Sequence, residues 1–351
     1  MLKIKPGLFG LDKSNRDFAI ADSWGKNQFN SSFPAALVCY MASKKLNSNY
    51  IRVKNKTVVV EEITPEDLMN ISPLDPNVFY SFETQYTPFN KYVVGSLPRI
   101  DLVIQNDDGK CLRGLEVKLT ALPDNTTCCL TEDKYGSEIV IRPDSIVYLA
   151  ASIAASDVDI IQTVFSNSKI KIKDWTDASE VIQHRKVIIE KISMLSGLIE
   201  NKQQPFLLQP IWKTIGKSPK LADNCLDVFV WSDAAFAFYI TRVAKLESSS
   251  SNITRQMRTA IWLYKMLLDI SESGKFNHKN IIDQLSYNTK NDKAFASSGN
   301  VTNPYMLCQN LVKPRILKSE IKDIILGGGQ SLLSPERRFD AIIYSSPELF
   351  S

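Results

Sequence analysis

The sequence predicts one α/β domain with a mixed central β-sheet, flanking helices and insertions. Short apolar runs bounded by turn residues, in the first third and again after residue 200, are typical of strands. Longer segments with apolar residues at helical spacing lie between and after them. The 351 residues are 44% hydrophobic and 23% charged, enough for a large core. We expect a single domain over residues 1–351, with a helical subdomain over about 176–275.

The first third of the chain is predicted to hold one helix and most of the strands. The helix covers 35–46, where the apolar residues of "AALVCYMASKKL" follow Pro34. Strands are predicted in five short runs of apolar and β-branched residues: 50–53, 57–60, 78–86, 100–105 and 111–119.

The remainder of the chain is predicted to be mainly helical. Pro143 and Asp144 are good helix-start residues. A longer helix follows Asp177, with Glu180 completing a capping box. Further strands are expected in "DIIQTVF" (159–165), "PFLLQPIW" (205–212) and "CLDVFVW" (225–231). A helix over about 254–271 carries a partly basic face that could follow a phosphate backbone, formed by Arg255, Arg258, Trp262 and Lys265.

Composition excludes several functional classes. The formal charge is only +4, so affinity for nucleic acid must come from local clusters. No secretion signal or membrane-spanning stretch is recognisable, and the six scattered cysteines contain no C-x-x-C pair, which favours reduced thiols and a cytoplasmic location. The three glycines at 327–329 lack the following Lys-Ser/Thr of a nucleotide loop, so no nucleotide cofactor is expected. With two histidines in the chain, three-histidine metal centres are impossible.

The stretch 98–120, "PRIDLVIQNDDGKCLRGLEVKLT", contains the strongest chemical signal. If Asp108-Gly109 forms a two-residue type I′ turn, paired positions place Asp101 directly opposite Glu116. Lys118, two residues further, then shares their face. The apolar residues take the other face, on the core side: Leu102, Ile104, Leu115 and Val117.

Two facing carboxylates repel each other, and a divalent cation between them removes the repulsion. Carboxylate oxygens are preferred ligands of Mg²⁺, which also binds substrate phosphate. The other interpretation of this hairpin is an ordinary solvated face with one salt bridge. For an arbitrary hairpin of this pattern the solvated face would be preferred. Here the scarcity of histidine, the apolar opposite face and the polar segments just upstream favour the metal site.

The hairpin residues resemble the signature of PD-(D/E)XK nucleases, with 14 residues between Asp101 and the Glu116-Val117-Lys118 triplet. Three upstream segments are similar to the HindVP and HgiDI type of type II restriction endonucleases: "SNRDF" (14–18), "WGKNQFNSSFP" (24–34) and "ETQYTPFNKYVVGSLPRIDLVI" (83–104). Two features depart from the wider pattern. Pro98 is separated from Asp101 by two residues, and the first helical region offers Gln28 where many relatives of the fold have a glutamate.

The resemblance implies a PD-(D/E)XK restriction-endonuclease-like core that cleaves both strands of a short palindromic DNA site with Mg²⁺. GRCGYC, the hexamer associated with these relatives, is one candidate site. By motif match, Asp101 and Glu116 would be metal ligands and Lys118 the base that positions water. Glu83, on the preceding strand, is expected as either a further metal ligand or a surface residue at the strand edge.

The same resemblance directs attention to polar side chains that could contact DNA. Asn, Gln, Arg and Lys are the residue types that read base edges or bind phosphates. Six such residues lie in a loop-rich run, and two precede the hairpin: Asn15, Arg16, Lys26, Asn27, Gln28, Asn30, Asn90 and Lys91. For the first six, roles in turns and helix caps are the alternative.

A palindromic double-stranded DNA site favours a two-fold homodimer. Two other functions stay open at this point. One is a structure-specific repair or resolvase-like nuclease of the same fold, and the other is a non-catalytic DNA-binding protein. Cleavage of a plain palindrome at one position separates the first from a restriction enzyme. An Asp101→Ala variant with unchanged activity would favour the second.

Overall fold

A computed structural model of the chain describes residues 13–15, 26–117, 139–166, 170–202, 205–211, 213–215, 218–220, 227–246, 251–287, 289 and 295–297. The strands of this described part are β1 (Ser48–Lys54), β2 (Thr57–Ile63), β3 (Val78–Thr84), β4 (Ile100–Asn106), β5 (Cys111–Val117), β6 (Ile139–Ile141), β7 (Pro205–Ile211), β8 (Lys213–Ile215), β9 (Ser218–Lys220), β10 (Asp227–Ser232) and β11 (Phe295–Ser297). Its helices are α1 (Lys26–Ser43), α2 (Pro65–Met69), α3 (Pro143–Ser156), α4 (Val158–Ser166), α5 (Ala178–Gln183), α6 (Arg185–Leu198), α7 (Asp233–Leu246), α8 (Arg255–Ser273) and α9 (His278–Gln284).

Seven strands form a mixed sheet in the order β2-β1-β10-β7-β5-β4-β3. The consecutive strands β3, β4 and β5 pair antiparallel. A tight turn joins β4 to β5, whereas the longer connection from β3 to β4 contains a 3₁₀ turn. The chain then crosses over through α3–α6 and returns as β7, which is parallel to β5. The predicted mixed α/β architecture with a central sheet is therefore confirmed.

Helices cover both faces of this sheet and divide the core into two clusters. The smaller cluster lies between the sheet and α1 and α2, and contains Leu102, Leu115 and Val117. The larger cluster lies on the opposite face and includes Val103, Leu207 and residues of α3, α4, α6, α7 and α8. The side-chain alternation of each strand sorts its residues between these two layers.

The segment predicted as the strand "DIIQTVF" is a helix, α4. The Asp157 carboxylate accepts hydrogen bonds from the backbone N–H groups of Asp159 and Ile160, both at 3.1 Å. Ile161, Val164 and Phe165 are buried at helical spacing against the larger cluster. The run is rich in β-branched residues but short, and its packing, which sequence periodicity cannot show, decides the outcome.

The long helix predicted after Asp177 is instead two helices, α5 and α6, separated at His184. Asp177 caps α5 by accepting a hydrogen bond from Ser179 N–H at 2.8 Å. Glu180 does not complete the predicted capping box, because its carboxylate accepts from the N–H groups of Lys173 and Asp174 in the preceding loop. The predicted apolar face is nevertheless buried throughout: Val181, Ile188, Ile192, Leu195 and Ile199.

Half of the predicted basic face of α8 lies inside the protein, so Arg258 and Trp262 cannot contact a phosphate backbone, whereas Arg255 and Lys265 are partly exposed. Arg258 and Trp262 are 2% and 1% exposed, and the guanidinium stacks 4.7 Å from the Trp262 ring centroid. Lys265 pairs with Asp269 one turn along the helix. The larger cluster surrounds this helix on most sides, and spacing within one helix does not reveal that.

The turn between β4 and β5 differs from the predicted type. Asn106 carbonyl accepts from Gly109 N–H at 2.9 Å, and Gly109 has φ +76°, so the loop holds three residues, 107–109. A bulge then follows, since Gln105 pairs with Cys111 whereas Ile104 pairs with Arg113. The three-residue loop and the bulge shift the strand register in opposite directions, so the pairing beyond the bulge is the same as with the predicted two-residue turn.

The resulting register pairs Leu102 with Leu115, and its next step places Asp101 opposite Glu116, as the sequence predicted. Leu102, Ile104, Leu115 and Val117 all lie in the smaller cluster, so their predicted core side is also confirmed.

Gly114 on β5 lies where the hairpin packs closely against Tyr86 of the larger cluster. A Cβ atom there would lie 2.9 Å from Tyr86 Cγ, closer than carbon atoms approach in a relaxed core. We expect Gly114→Ala to lower the free energy of unfolding by about 1–3 kcal/mol, measured by urea denaturation. Gly197→Ala on α6, where nothing lies within 4 Å, is the control and should stabilise by about 0.5–1 kcal/mol. Equal effects in the two variants would contradict the expectation.

Within the described residues, no single helix is long and apolar enough to cross a membrane. α3 and α4 meet the length and composition only when taken together, and they are bent by 101° relative to each other.

Candidate functional site

The paired carboxylates of β4 and β5 face the larger cluster and the start of α3. Asp101 is half-buried, and its Oδ2 accepts a hydrogen bond of 2.8 Å from Val117 N–H. Glu116 is 6% exposed, and Ser145 Oγ on α3 lies 3.4 Å from its Oε1. Directly opposed side chains in an antiparallel pair have Cβ atoms about 5 Å apart. The two carboxylates therefore lie side by side on the sheet face that the start of α3 covers.

Glu83 occupies the neighbouring position of the same row on β3. The β3–β4 register pairs Phe82 with Leu102 and Thr84 with Ile100, which brings Glu83 beside Asp101. Glu83 is exposed and has φ +49°, a left-handed conformation that is unusual for a residue inside a strand. Strained backbone of this kind often occurs at functional sites. In the part of the chain that the structure describes, however, no three Asp, Glu, His or Cys side chains form a metal-binding group.

Two α3 residues that sequence reasoning missed contact this site. Besides Ser145, Tyr148 reaches the strand ends: its hydroxyl accepts from Tyr86 N–H at 3.1 Å and donates to the Pro98 carbonyl at 2.8 Å. Burial raises the pKa of Tyr148, and the charge of Glu116 adds to the rise although the Tyr86 N–H opposes it. The hydroxyl therefore stays protonated at neutral pH. The sequence placed both residues on a helix, but no signal connected that helix to Glu116.

The described residues that were predicted to contact DNA fall into three groups. Asn90 and Lys91 are exposed in a 3₁₀ turn, Thr87–Tyr92, between β3 and β4. The Asn15 amide hydrogen-bonds with both backbone groups of Phe82, which attaches the segment 13–15 to the edge of β3. Four others belong to helix α1 and not to a loop-rich run, because the helix continues through Pro34 to an earlier start: Lys26, Asn27, Gln28 and Asn30. Arg16 and the predicted base Lys118 lie outside the described residues.

Hydrogen bonds anchor the segment that contains the 3₁₀ turn. Val94 N–H donates to the Phe276 carbonyl, and Phe276 N–H donates to the Tyr92 carbonyl, both at 2.9 Å. Gln85 Nε2 donates to the Leu97 carbonyl at 2.6 Å. The exposed polar and basic side chains of this turn therefore lie on an anchored segment that joins the end of β3 to the start of β4.

Comparison with known proteins identifies the family of this chain. The model of the HindVP restriction endonuclease family matches residues 24–350. The chain belongs to the HindVP restriction endonuclease family. As a member, it is a site-specific deoxyribonuclease that cleaves double-stranded DNA, and the predicted family and enzyme class are confirmed.

Two relatives show how far the similarity of this HindVP-family chain extends. It is 50% identical over 354 residues to the probable type II restriction enzyme HindVP of Haemophilus influenzae (strain ATCC 51907 / DSM 11121 / KW20 / Rd), covering 99% of this chain and 96% of the relative. It is 44% identical over 354 residues to the type II restriction enzyme HgiDI of Herpetosiphon aurantiacus, covering 99% and 97%. No solved structure matches the chain. Type II restriction enzymes generally use divalent metal ions, which agrees with the pair of opposed carboxylates on β4 and β5.

Lys91 is expected to bind a DNA phosphate. Removing one phosphate contact lowers the slope of log Kobs against log salt concentration by about 0.9. Lys91→Gln should therefore weaken binding at low salt and reduce that slope by about one, with the site preference unchanged, as measured by fluorescence anisotropy over a salt series.

The matched control is Lys110→Gln. Lys110 is also exposed, but it lies beside the hairpin turn, at the opposite end of the strands from Asp101. If both variants lose the same affinity and slope, the 3₁₀ turn makes no specific phosphate contact.

Proposed function

We propose that this HindVP-family enzyme hydrolyses DNA at the Asp101–Glu116 pair, in a Mg²⁺-dependent centre of the PD-(D/E)XK type. The observation that carries the proposal is the register of β4 and β5, which opposes two carboxylates on the sheet face where Ser145 of α3 contacts Glu116. Two facing carboxylates, one of them buried, are costly unless a cation or another partner compensates the charge.

The oxygen donors of the carboxylate pair fit Mg²⁺. Asp101 and Glu116 supply hard oxygen ligands, and one or two carboxylates are the usual protein contribution to a magnesium site, with water and substrate phosphate as the other ligands. Val117 N–H and the Ser145 hydroxyl hold the two carboxylates in place through bonds to one oxygen of each. Glu83 is proposed as a further ligand that completes the site when DNA is bound. When bound, Mg²⁺ would stabilise the negative charge that develops on the phosphodiester.

Other residues of the chain are assigned to the activation of water and to the binding of DNA. We assign Lys118 the task of orienting or deprotonating the attacking water, by its match to the motif. Lys91 and Asn90 would hold the DNA backbone beside the hairpin. For the α1 residues and Arg16 we propose contacts with the bases or the flanking backbone: Lys26, Asn27, Gln28 and Asn30. For Asn15, whose amide already bonds with β3, a role in positioning Glu83 fits better than a contact to DNA.

The biological unit is proposed to be a homodimer acting on a palindrome, with GRCGYC as the candidate site. A two-fold axis in the protein matches the two-fold symmetry of a palindromic site, so that each subunit cuts one strand. The free thiols of Cys39 and Cys111 agree with the proposed location in the cytoplasm of a prokaryotic cell.

Cleavage of matched plasmids tests the proposal. Two plasmids that differ by a single GRCGYC site are incubated with the purified protein in Mg²⁺ or in EDTA. We expect one double-strand break in the plasmid with the site, only in Mg²⁺, and sequencing of the ends gives the cut position. Breaks at another discrete position would overturn the proposed site alone, whereas cleavage in EDTA would overturn the metal centre.

A further inference from the structure

We propose that Tyr148 is a positioning residue of the nuclease centre, which holds together the ends of β3 and β4 beside Glu83 and Asp101. This inference rests on the proposed function of the Asp101–Glu116 pair. It concerns a residue on α3 whose hydroxyl bonds to the backbone that leads to two of the acidic residues, Glu83 and Asp101.

The position of the Tyr148 hydroxyl within the strand register carries the inference. Tyr86 and Pro98 stand opposite each other two steps beyond the last pair of the β3–β4 ladder, Thr84 with Ile100. Pro98 has no N–H group, so it can only accept a hydrogen bond at this point. The hydroxyl accepts from Tyr86 N–H at 3.1 Å and donates to the Pro98 carbonyl at 2.8 Å, and so bridges two strands that have begun to diverge.

The bridge is close in sequence to both acidic residues of these strands. Tyr86 lies three residues after Glu83, and Pro98 lies three residues before Asp101. Loss of the bridge would let the two strand ends separate, and the carboxylates at their bases would move with them. A shift of about 1 Å at a catalytic centre can cost about a hundredfold in rate.

Tyr148→Phe is a sharp test because it removes only the hydroxyl. The ring, which lies 6.0 Å from that of Phe89, can keep its place in the larger cluster. Tyr287→Phe is the matched control, since the Tyr287 hydroxyl donates to the Trp175 carbonyl at 2.7 Å and joins segments that do not enter β3 or β4. Both variants lose one buried or partly buried hydroxyl, so a purely structural effect should lower the melting temperature of both.

Three measurements on the full-length protein distinguish positioning from stability. They are the single-turnover cleavage rate at saturating enzyme, the Mg²⁺ concentration for half-maximal rate, and the Kd for DNA in EDTA. For Tyr148→Phe we expect a rate about tenfold lower and a Mg²⁺ requirement raised several-fold, with Kd within about twofold of wild type. Tyr287→Phe should match wild type in all three, below the melting temperature of both variants.

Wild-type rate and Mg²⁺ requirement in Tyr148→Phe would overturn the inference, and so would equal losses in the two variants. If Tyr148→Phe melts below the assay temperature, Gln85→Ala removes the second bridge between the same segments, from Gln85 Nε2 to the Leu97 carbonyl at 2.6 Å. That variant must then show the same pattern. Failure of the proposed function is separable, because it would appear as full activity in Asp101→Asn.

Discussion

Asp101→Asn is expected to lower the cleavage rate at saturating Mg²⁺ by about a thousandfold while the Kd for DNA in EDTA stays within about twofold. A ligand to a metal that stabilises transition-state charge contributes several kcal/mol, and each 1.36 kcal/mol corresponds to about tenfold in rate. Asparagine keeps an oxygen that can accept the 2.8 Å hydrogen bond from Val117 N–H, so the end of β5 should stay in place. Cleavage of a plasmid containing one site, followed under single-turnover conditions, measures the loss.

Asp108→Asn is the control for this variant. It replaces a carboxylate with an amide, as Asp101→Asn does, but at an exposed position in the turn of the same hairpin. It should cleave at the wild-type rate. A fully active Asp101→Asn would leave the carboxylate pair without a catalytic role and would favour a site elsewhere on the chain.

Glu116→Gln is expected to lower the cleavage rate about as much as Asp101→Asn does, without destabilising the metal-free protein. Glu116 is 6% exposed and opposes another carboxylate, so a neutral amide of the same shape removes a charge that is costly to bury. Its amide oxygen can still accept from the Ser145 hydroxyl. The melting temperature in EDTA should therefore be unchanged or slightly higher than that of wild type.

Addition of Mg²⁺ should distinguish wild type from Glu116→Gln by its effect on the melting temperature. A ligand that binds only the folded state raises its stability, so Mg²⁺ should raise the melting temperature of wild type and have little effect on Glu116→Gln. Glu62→Gln, on the exposed part of β2, controls for the loss of a carboxylate in general. A large fall in the melting temperature of Glu116→Gln in EDTA would show that the carboxylate is a structural partner in the core.

Local sequence was sufficient where a feature depends on alternation along one or two neighbouring strands. The faces of β4 and β5, and the opposition of Asp101 and Glu116, follow from the two-residue period of a strand once the register is known. The register itself was correct although the predicted turn was not, because the three-residue loop and the bulge at Leu112 compensate each other. Such compensation is invisible in the sequence, since each deviation depends on the geometry of the other.

Outcomes that depend on contacts between distant segments were decided only by the tertiary structure. The run 159–165 became a helix because its apolar side packs on the larger cluster, and the cationic Arg258 was buried because Trp262 and neighbouring segments enclose it. Helical spacing reports which residues share a face but not what that face meets.

By itself, the sequence determined the central carboxylate pair, the sorting of the hairpin between two faces, and the resemblance to a restriction endonuclease family. The tertiary structure alone decided that α3 packs against the carboxylate pair, with Ser145 against Glu116 and Tyr148 between the ends of β3 and β4. The physical reason is the range of the interactions involved. Strand alternation acts over a few residues, whereas the α3 contacts join residues 29 to 62 positions apart, whose meeting depends on how the whole sheet and its helices pack.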